Sequence, residues 1–278
     1  MFWRLHTAVL GHQLHEAFEF LRDLGDEVQI VTGPVLTIDP VPQIDDQPAV
    51  AITTLQDARK QSGYFAGRCT PWLFYNETDY AVSKWMPKLG DDLPILNAGG
   101  ILVPFGMLYS IPRNLLQAIA SPEGKVFIKP DKGHKSFTGI CLSVTNFNTE
   151  LQEALGPLNL DPEVLFYLAM AKQLKDVEWR FWIVNREVVA YSPYSWQNEI
   201  CWALAPNKIL KIAKLVAENP WQPDIAYVVD IVETPHGEVF VNEINAASTS
   251  GVYWAPIDDL LFSLREVAHA EFAGEVIL

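Results

Sequence analysis

The sequence predicts an α+β protein, with a small α/β unit over residues 1–110 ahead of a larger α+β part over residues 111–278. Three observations carry that expectation. The second half contains short apolar runs split by turn signals, as in EWRFWIVNREVVAY, where Asn185 and Arg186 interrupt two strand-like stretches. Helical periodicity is confined to separate segments such as residues 206–218, with Ile209, Ile212, Ala213 and Val216 on one side. Hairpins and helices therefore cluster instead of alternating as a doubly wound parallel sheet would require.

Composition narrows the class. Of 278 residues, 49% are hydrophobic and 19% charged, which supports a sizeable core and argues against long disorder. The 34 acidic and 20 basic residues give a formal charge of −14, which disfavours nucleic acid or an anionic membrane as partner. No apolar run approaches the roughly 20 residues that span a bilayer. The opening MFWRLHTAVLGHQLHEAF lacks a signal-peptide layout. Cys69, Cys141 and Cys201 form no CxxC pair and are expected to be buried thiols in a reducing compartment. A cytoplasmic location is the expectation.

Taken in order, residues 12–24 (HQLHEAFEFLRDL) set Leu14, Phe18, Leu21 and Leu24 against a polar remainder, the pattern of an amphipathic helix. Gly25 stops it. His12 and His15 stand three apart, but no third zinc ligand follows at a useful spacing, so both belong at the surface. Residues 27–31 and 49–53 are candidate strands, joined through a Pro- and Asp-rich connection. Trp72, Phe74 and Trp85 are expected in the core rather than stacked on a substrate. A helix over 111–120 ends at SPEG, and KVFIKP (125–130) follows as a strand. The polar loop DKGHKSFTG covers 131–139, and 140–144 resumes as strand. A short helix over 151–155 precedes VLFYLA (164–169), a buried strand. The hairpin 178–184 with 187–191 comes next, its run 181–184 being core. Tyr191, Tyr194 and Trp196 are candidates for lining an acceptor pocket. Strands 226–233 and 238–245 follow the 206–218 helix, and 257–269 closes as a helix.

The final hairpin carries the chemistry. Alternation along EVFVNEIN (238–245) sets Val239, Val241, Glu243 and Asn245 on one face. The preceding AYVVDIVE is apolar on both faces except for Asp230. Pairing Glu233 with Glu238 sets Asp230 opposite Val241 and makes Glu243 its diagonal neighbour, about 7–8 Å away. A slip of one residue would send Asp230 to the other face. Two carboxylates and an amide oxygen form an incomplete all-oxygen ligand set, which suits Mg²⁺ completed by phosphate oxygens. The other reading is a hairpin whose carboxylates meet solvent, Lys or Arg. A phosphate cradle is available upstream: Lys129 shares a strand face with Lys125 and Phe127. The loop beyond holds Lys132, Lys135, Ser136 and Thr138 between two glycines. Its spacing is not that of a Walker A loop. A solvated lysine-rich turn is the alternative.

With these pieces in order, residues 111–278 resemble the ATP-grasp superfamily, and among its members bacterial and phage proteins sharing K-S-F-T-G, E-x-R and D…E-x-N. The resemblance implies an ATP-grasp fold, two α+β subdomains clasping ATP, behind a variable N-terminal domain. It implies ATP and Mg²⁺ as cofactors, with Asp230, Glu243 and Asn245 as metal ligands. It assigns Lys129, Lys135, Ser136 and Thr138 to the phosphates. Ala171, Lys172 and Leu174 fall in the hinge that meets adenine, and Glu178 on the ribose. Arg180 and Lys135 take the catalytic places. The family's hinge often opens with a Glu, where this chain has Ala171, so a backbone carbonyl would meet the adenine amino group instead. The implied activity is a carboxylate–amine ligase acting through an acyl phosphate on a small-molecule or peptide substrate. A kinase of the same fold and a non-catalytic Mg-ATP binder are the other expectations.

Overall fold

The computed structural model describes residues 1–33, 47–65, 71–132, 137–195 and 203–275. The chain opens with β1 (Phe2–His6), α1 (Thr7–Leu10) and α2 (Leu14–Asp23), then β2 (Glu27–Val31), β3 (Ala49–Ile52), α3 (Leu55–Phe65) and β4 (Pro71–Trp72). Helix α4 (Val82–Leu89), β5 (Ile101–Pro104), α5 (Phe105–Leu108) and α6 (Arg113–Ala118) lead to β6 (Lys125–Pro130) and β7 (Ile140–Ser143). Helix α7 (Phe147–Leu155), β8 (Leu165–Met170), β9 (Val177–Val184) and β10 (Glu187–Ser195) follow. The chain then forms α8 (Asn207–Ala217), β11 (Ala226–Glu233), β12 (Val239–Ala246) and α9 (Ile257–Phe272).

The strands make three sheets. The first, in order β2-β1-β3-β4, is parallel, as a small α/β unit requires. Strand β1, absent from the sequence reading, is its centre and is buried along its whole length. The other two are antiparallel: β5-β8-β6-β7 and β10-β9-β11-β12. Strand β5, residues 101–104, is an edge of the sheet that holds β6 to β8.

Helix α2 buries a different stripe from the one expected. Ala17 and Leu21 are the buried positions, Phe18 is only half-buried, and Leu24 is exposed. The reason is that α9 and β2 flank α2 on the Ala17 side, where a small residue permits close approach. Phe18 instead carries the Arg22 guanidinium over its ring, 5.4 Å from the centroid. Helix α9 is tied back to the first sheet through Asp26, which accepts from the Trp3 indole at 3.1 Å and from Arg265 Nε at 2.9 Å. The core between them holds Trp3, Leu5, Trp182, Val228, Leu261 and Leu264. On the opposite face of the β9–β12 sheet, Trp85, Phe181, Ile209, Val229, Val241 and Ile244 form a second core. Trp72, Phe74 and Trp85 are all buried, as expected of core aromatics.

Helix α4 matters for the site because of its N-terminus. No residue of the helix itself caps it with a side chain. Asp131, immediately beyond β6, does so from outside: Oδ1 accepts from Ser83 N at 2.8 Å and Oδ2 from Ser83 Oγ at 2.9 Å. The Val82 N–H donates to the Asp131 carbonyl at 2.8 Å. These bonds fix the end of β6, and with it the direction of Lys129.

Candidate active site

Strands β11 and β12 pair with Asp230 directly opposite Glu243, not opposite Val241. Near the turn Glu233 faces Val239, a register one residue away from the expected one. That slip alone would have turned Asp230 to the wrong face. A β-bulge between Asp230 and Ile231 leaves Asn242 unmatched and adds a second step, which restores the phase. Asp230, Glu243 and Asn245 therefore share a face as the sequence predicts, whereas Val241 goes to the opposite face and packs with Ile231 and Ile244 in the core. The Asn245 amide donates to Asp230 Oδ2 and to Glu243 Oε2, both at 3.1 Å. The three predicted side chains thus meet in one cluster.

Arg180 on β9 stands across from Asp230 in register and grips it with two bonds, Nε to Oδ1 at 2.8 Å and Nη2 to Oδ2 at 2.9 Å. Both residues are buried. Burial works against the guanidinium charge, but the carboxylate beside it prevails and holds the Arg180 pKa well above its ordinary value. The plane of the guanidinium is fixed further by two tyrosines. Its centre lies 5.0 Å from the Tyr194 ring and 5.3 Å from the Tyr253 ring, and the two rings stack at 4.9 Å. Nη1 donates to the Gly251 carbonyl at 3.3 Å. Tyr253 adopts φ 53°, a left-handed conformation that costs of order 1–3 kcal/mol for a bulky residue. The ring reaches Arg180 and Tyr194 from that strained backbone. Tyr194 also donates its hydroxyl to Glu178.

Lys129 closes the cluster from the other sheet. Its Nζ lies 3.9 Å from Glu243 Oε1 and 5.9 Å from the centre of the Trp85 ring. A cleft of about 300 Å³ runs between the two antiparallel sheets, lined by Phe127, Lys129, Lys172, Leu174, Glu178, Arg180, Glu243 and Asn245, with Tyr80, Trp85 and Asn97 at one side. Thr138 and Lys132 border it from the polar loop. Lys135 and Ser136 lie outside the described residues, as does Trp196. Ala171 begins the connection between β8 and β9, its N–H donating to the Lys125 carbonyl at 3.4 Å, and its side chain is not part of the cleft wall. Lys172 has a lowered pKa because burial outweighs the pull of Glu238, and its ammonium sits 4.3 Å from the Phe240 ring centre. Cys141 is exposed and borders the cleft, which corrects the expectation of a buried thiol; Cys69 and Cys201 lie outside the described residues.

Sequence reasoning missed Asn242, Tyr253 and Tyr80. Asn242 enters the cleft only because it is the bulged residue, and alternation gives no sign of it. Tyr253 lies at a turn whose backbone is set by tertiary contacts. Tyr80 comes from a part of the chain with no pattern linking it to the hairpin.

The donor set can take a hard divalent cation. Among the described residues no three His, Cys, Asp or Glu side chains converge, so an ion here would draw on two carboxylates, an amide oxygen and ligands from outside the protein. Glu243 and Asn245 border the cleft, and a half-turn of the Asn245 amide exchanges its NH₂ for its oxygen. Asp230 does not border the cleft and contributes only where the Arg180 fork releases one of its oxygens.

Comparison with known proteins follows the geometry. A search of curated proteins gives no match. Among solved structures, D-cycloserine synthetase DcsG superposes with a TM-score of 0.65 at 13% identity, covering 96% of this chain and 100% of that one. A RimK domain ATP-grasp protein from Sphaerobacter thermophilus gives 0.57 at 15% identity, covering 97% and 96%. The macrocyclase MdnC from Microcystis aeruginosa, solved with its precursor peptide MdnA, gives 0.53 at 13% identity, covering 94% and 97%. At these identities the likeness establishes the fold, and the α+β ATP-grasp architecture expected from the sequence is the one observed. A family profile for the ATP-grasp domain, that of the third family in its clade, matches residues 106–264, more than half of the chain. The protein belongs to that ATP-grasp family.

Proposed function

We propose that the protein is an Mg-ATP-dependent ligase that activates a carboxylate as an acyl phosphate and joins it to an amine or similar nucleophile. One observation carries this reading: Lys129 from one sheet and the Arg180–Asp230–Glu243–Asn245 cluster from the other face a single cleft. A cleft with two buried cations beside two carboxylates suits a polyanion that brings its own divalent ion. Mg²⁺ bound there neutralises phosphate charge, held by Glu243 and Asn245, with Asp230 as the third ligand once its oxygen is free.

The chain's own residues perform the rest. Lys129 meets the phosphates as a point charge. Lys135, Ser136 and Thr138 are assigned to cover them from the polar loop. Lys172 and Leu174, with the backbone at Ala171, form the adenine wall, and Glu178 meets the ribose. Arg180 is held planar before any substrate arrives, so its remaining N–H donors oppose charge on the transferred phosphoryl group without reorganisation. A carboxylate oxygen bonds to the γ-phosphorus as ADP leaves. The amine nitrogen then bonds to the acyl carbon, phosphate departs, and the amine's proton passes to phosphate or water.

The RimK-like and macrocyclase structures make ligase chemistry the natural reading of this fold, and MdnC was solved with a peptide. The test is an ADP-release screen over carboxylates and amines with hydroxylamine present. A hydroxamate product establishes the acyl phosphate. ADP release accompanied by a stable phosphorylated alcohol assigns a kinase instead, and tight ATP binding with no ADP from any candidate assigns a non-catalytic binder.

A further inference from the structure

A second cavity, of about 250 Å³, lies on the far side of Arg180 from Lys129. Arg180, Asn245, Tyr80 and Tyr253 are common walls of both spaces, whereas Leu55, Tyr75, Glu77 and Thr249 line only the second. Its inner end is therefore the guanidinium that also faces the nucleotide cleft. Its outer end belongs to the N-terminal unit, from Leu55 at the start of α3 to Tyr75 and Glu77.

The two ends differ in charge. The inner end offers Arg180, an anion-binding group held flat by two aromatic rings. Toward the outer end stand the Glu77 carboxylate and the Tyr75 and Tyr80 rings, with the Tyr253 ring between. Tyr75 Oη donates to Glu77 Oε2 at 3.4 Å, which keeps that carboxylate at the cavity. A carboxylate flanked by tyrosine rings favours an organic cation through charge and through the negative ring faces. The volume falls below the roughly 300–1,000 Å³ of pockets for drug-sized ligands, so the space suits one small molecule. Ser250 does not contribute its proton, which goes to the Ala246 carbonyl at 2.8 Å.

We propose that this cavity binds the carboxylate substrate, and that the substrate is a small amino carboxylate: its carboxylate end lies at Arg180, next to the nucleotide cleft, and its ammonium end lies at Glu77 among the tyrosines. The proposal rests on the ligase reading and adds to it the place, the size and the charge of the molecule activated. Leu55 and Glu77 are its specificity residues. Neither lines the nucleotide cleft.

The experiment compares free α- and ω-amino acids with the matching carboxylic acids that lack the amino group, each with Mg-ATP and hydroxylamine. Hydroxamate is measured for the wild type, Glu77→Gln and Leu55→Trp, ATP affinity by calorimetry, and folding by circular dichroism. At least one amino acid is expected to exceed its amino-free counterpart by about tenfold or more in kcat/KM, the worth of one charged hydrogen bond. Glu77→Gln should remove that preference through KM, and Leu55→Trp should block the amino acid by filling the cavity. ATP affinity should stay unchanged in both. Equal rates for the amino-free acids, or a preference that survives Glu77→Gln in the folded variant, overturn the proposal and leave the ligase reading standing. Hydroxamate formation undiminished in Leu55→Trp does the same. Failure of ATP to bind the wild type overturns both.

Discussion

Arg180 and Asp230 are each other's main partners in a buried setting, so removing one strands the other. Asp230→Ala should destabilise the protein by about 3–5 kcal/mol, read as a lower midpoint in urea, because an uncompensated guanidinium remains inside. Glu243 is more accessible, its side chain 23% exposed. Glu243→Gln should change stability by less than about 1 kcal/mol yet abolish ADP release; unaltered ADP formation would count against its role at the metal. Asp224 supplies a pH dependence. Burial pushes its pKa up to about 7, against bonds from Ile225 N and the Tyr80 hydroxyl. The unfolded carboxyl ionises near 4 while the folded one keeps its proton, so the stability is full below about pH 4, falls as pH rises, and levels off above about 7. Thermal unfolding across that window should show a loss of about 1–3 kcal/mol, the side chain being only half-buried, and Asp224→Asn should flatten it. At this scale the sequence already showed Asp230, Glu243 and Asn245, because two carboxylates and an amide on adjacent strands need few assumptions. The grip of Arg180 on Asp230 was hidden, since nothing in either segment shows that β9 lies beside β11.

The decisive element is the bulge in β12. Asn242 is the extra residue that brings Glu243 and Asn245 back to the face of Asp230 after the turn has shifted the register. Deleting Asn242 should rephase the strand end, sending Glu243 toward Ile231 and Ile244 in the core. The expected outcome is loss of ATP binding by calorimetry together with a lower melting temperature, whereas Asn242→Ala, which keeps the extra residue, should retain the fold. Retained ATP binding in the deletion variant would show that the bulge does not set the site. Most strands were legible because hydrophobic runs and turn residues mark them: β6 and β11 have the bounds read from the sequence. The bulge was not, because it depends on how two strands settle against separate cores rather than on residue type. The buried stripe of α2 escaped for a related reason, its partner α9 being distant in the chain.

Across the molecule, the cleft is bounded by two sheets that belong to different hydrophobic cores, with Phe166 and Leu168 behind one and Phe181 and Val229 behind the other. A ligand touching both walls binds the folded chain and not the unfolded one. Mg-ATP at a hundredfold excess over its Kd should therefore add about 2.7 kcal/mol to unfolding stability, seen as a rise in melting temperature. EDTA or Glu243→Gln should cancel most of that rise, and an equal rise without magnesium would remove the metal from the account. The α+β class was legible in the clustering of hairpins, and the parallel first sheet in the α/β character of the opening residues. The placing of residues 101–104 beside β8 was not, because a four-residue strand carries no statement about its neighbour.

Strand β12, which carries Glu243 and Asn245, is the outermost strand of its sheet, and such a rim exposes unpaired peptide groups that can recruit another chain. Here the rim is guarded at one point: the Val241 N–H donates to the Pro94 carbonyl at 2.8 Å and its carbonyl accepts from Leu96 at 2.9 Å. The short segment that shields the rim also delivers Leu96 and Asn97 to the cleft. Loosening residues 94–96 would then make the protein prone to self-association before it made it inactive, with higher-order species in light scattering as the first symptom.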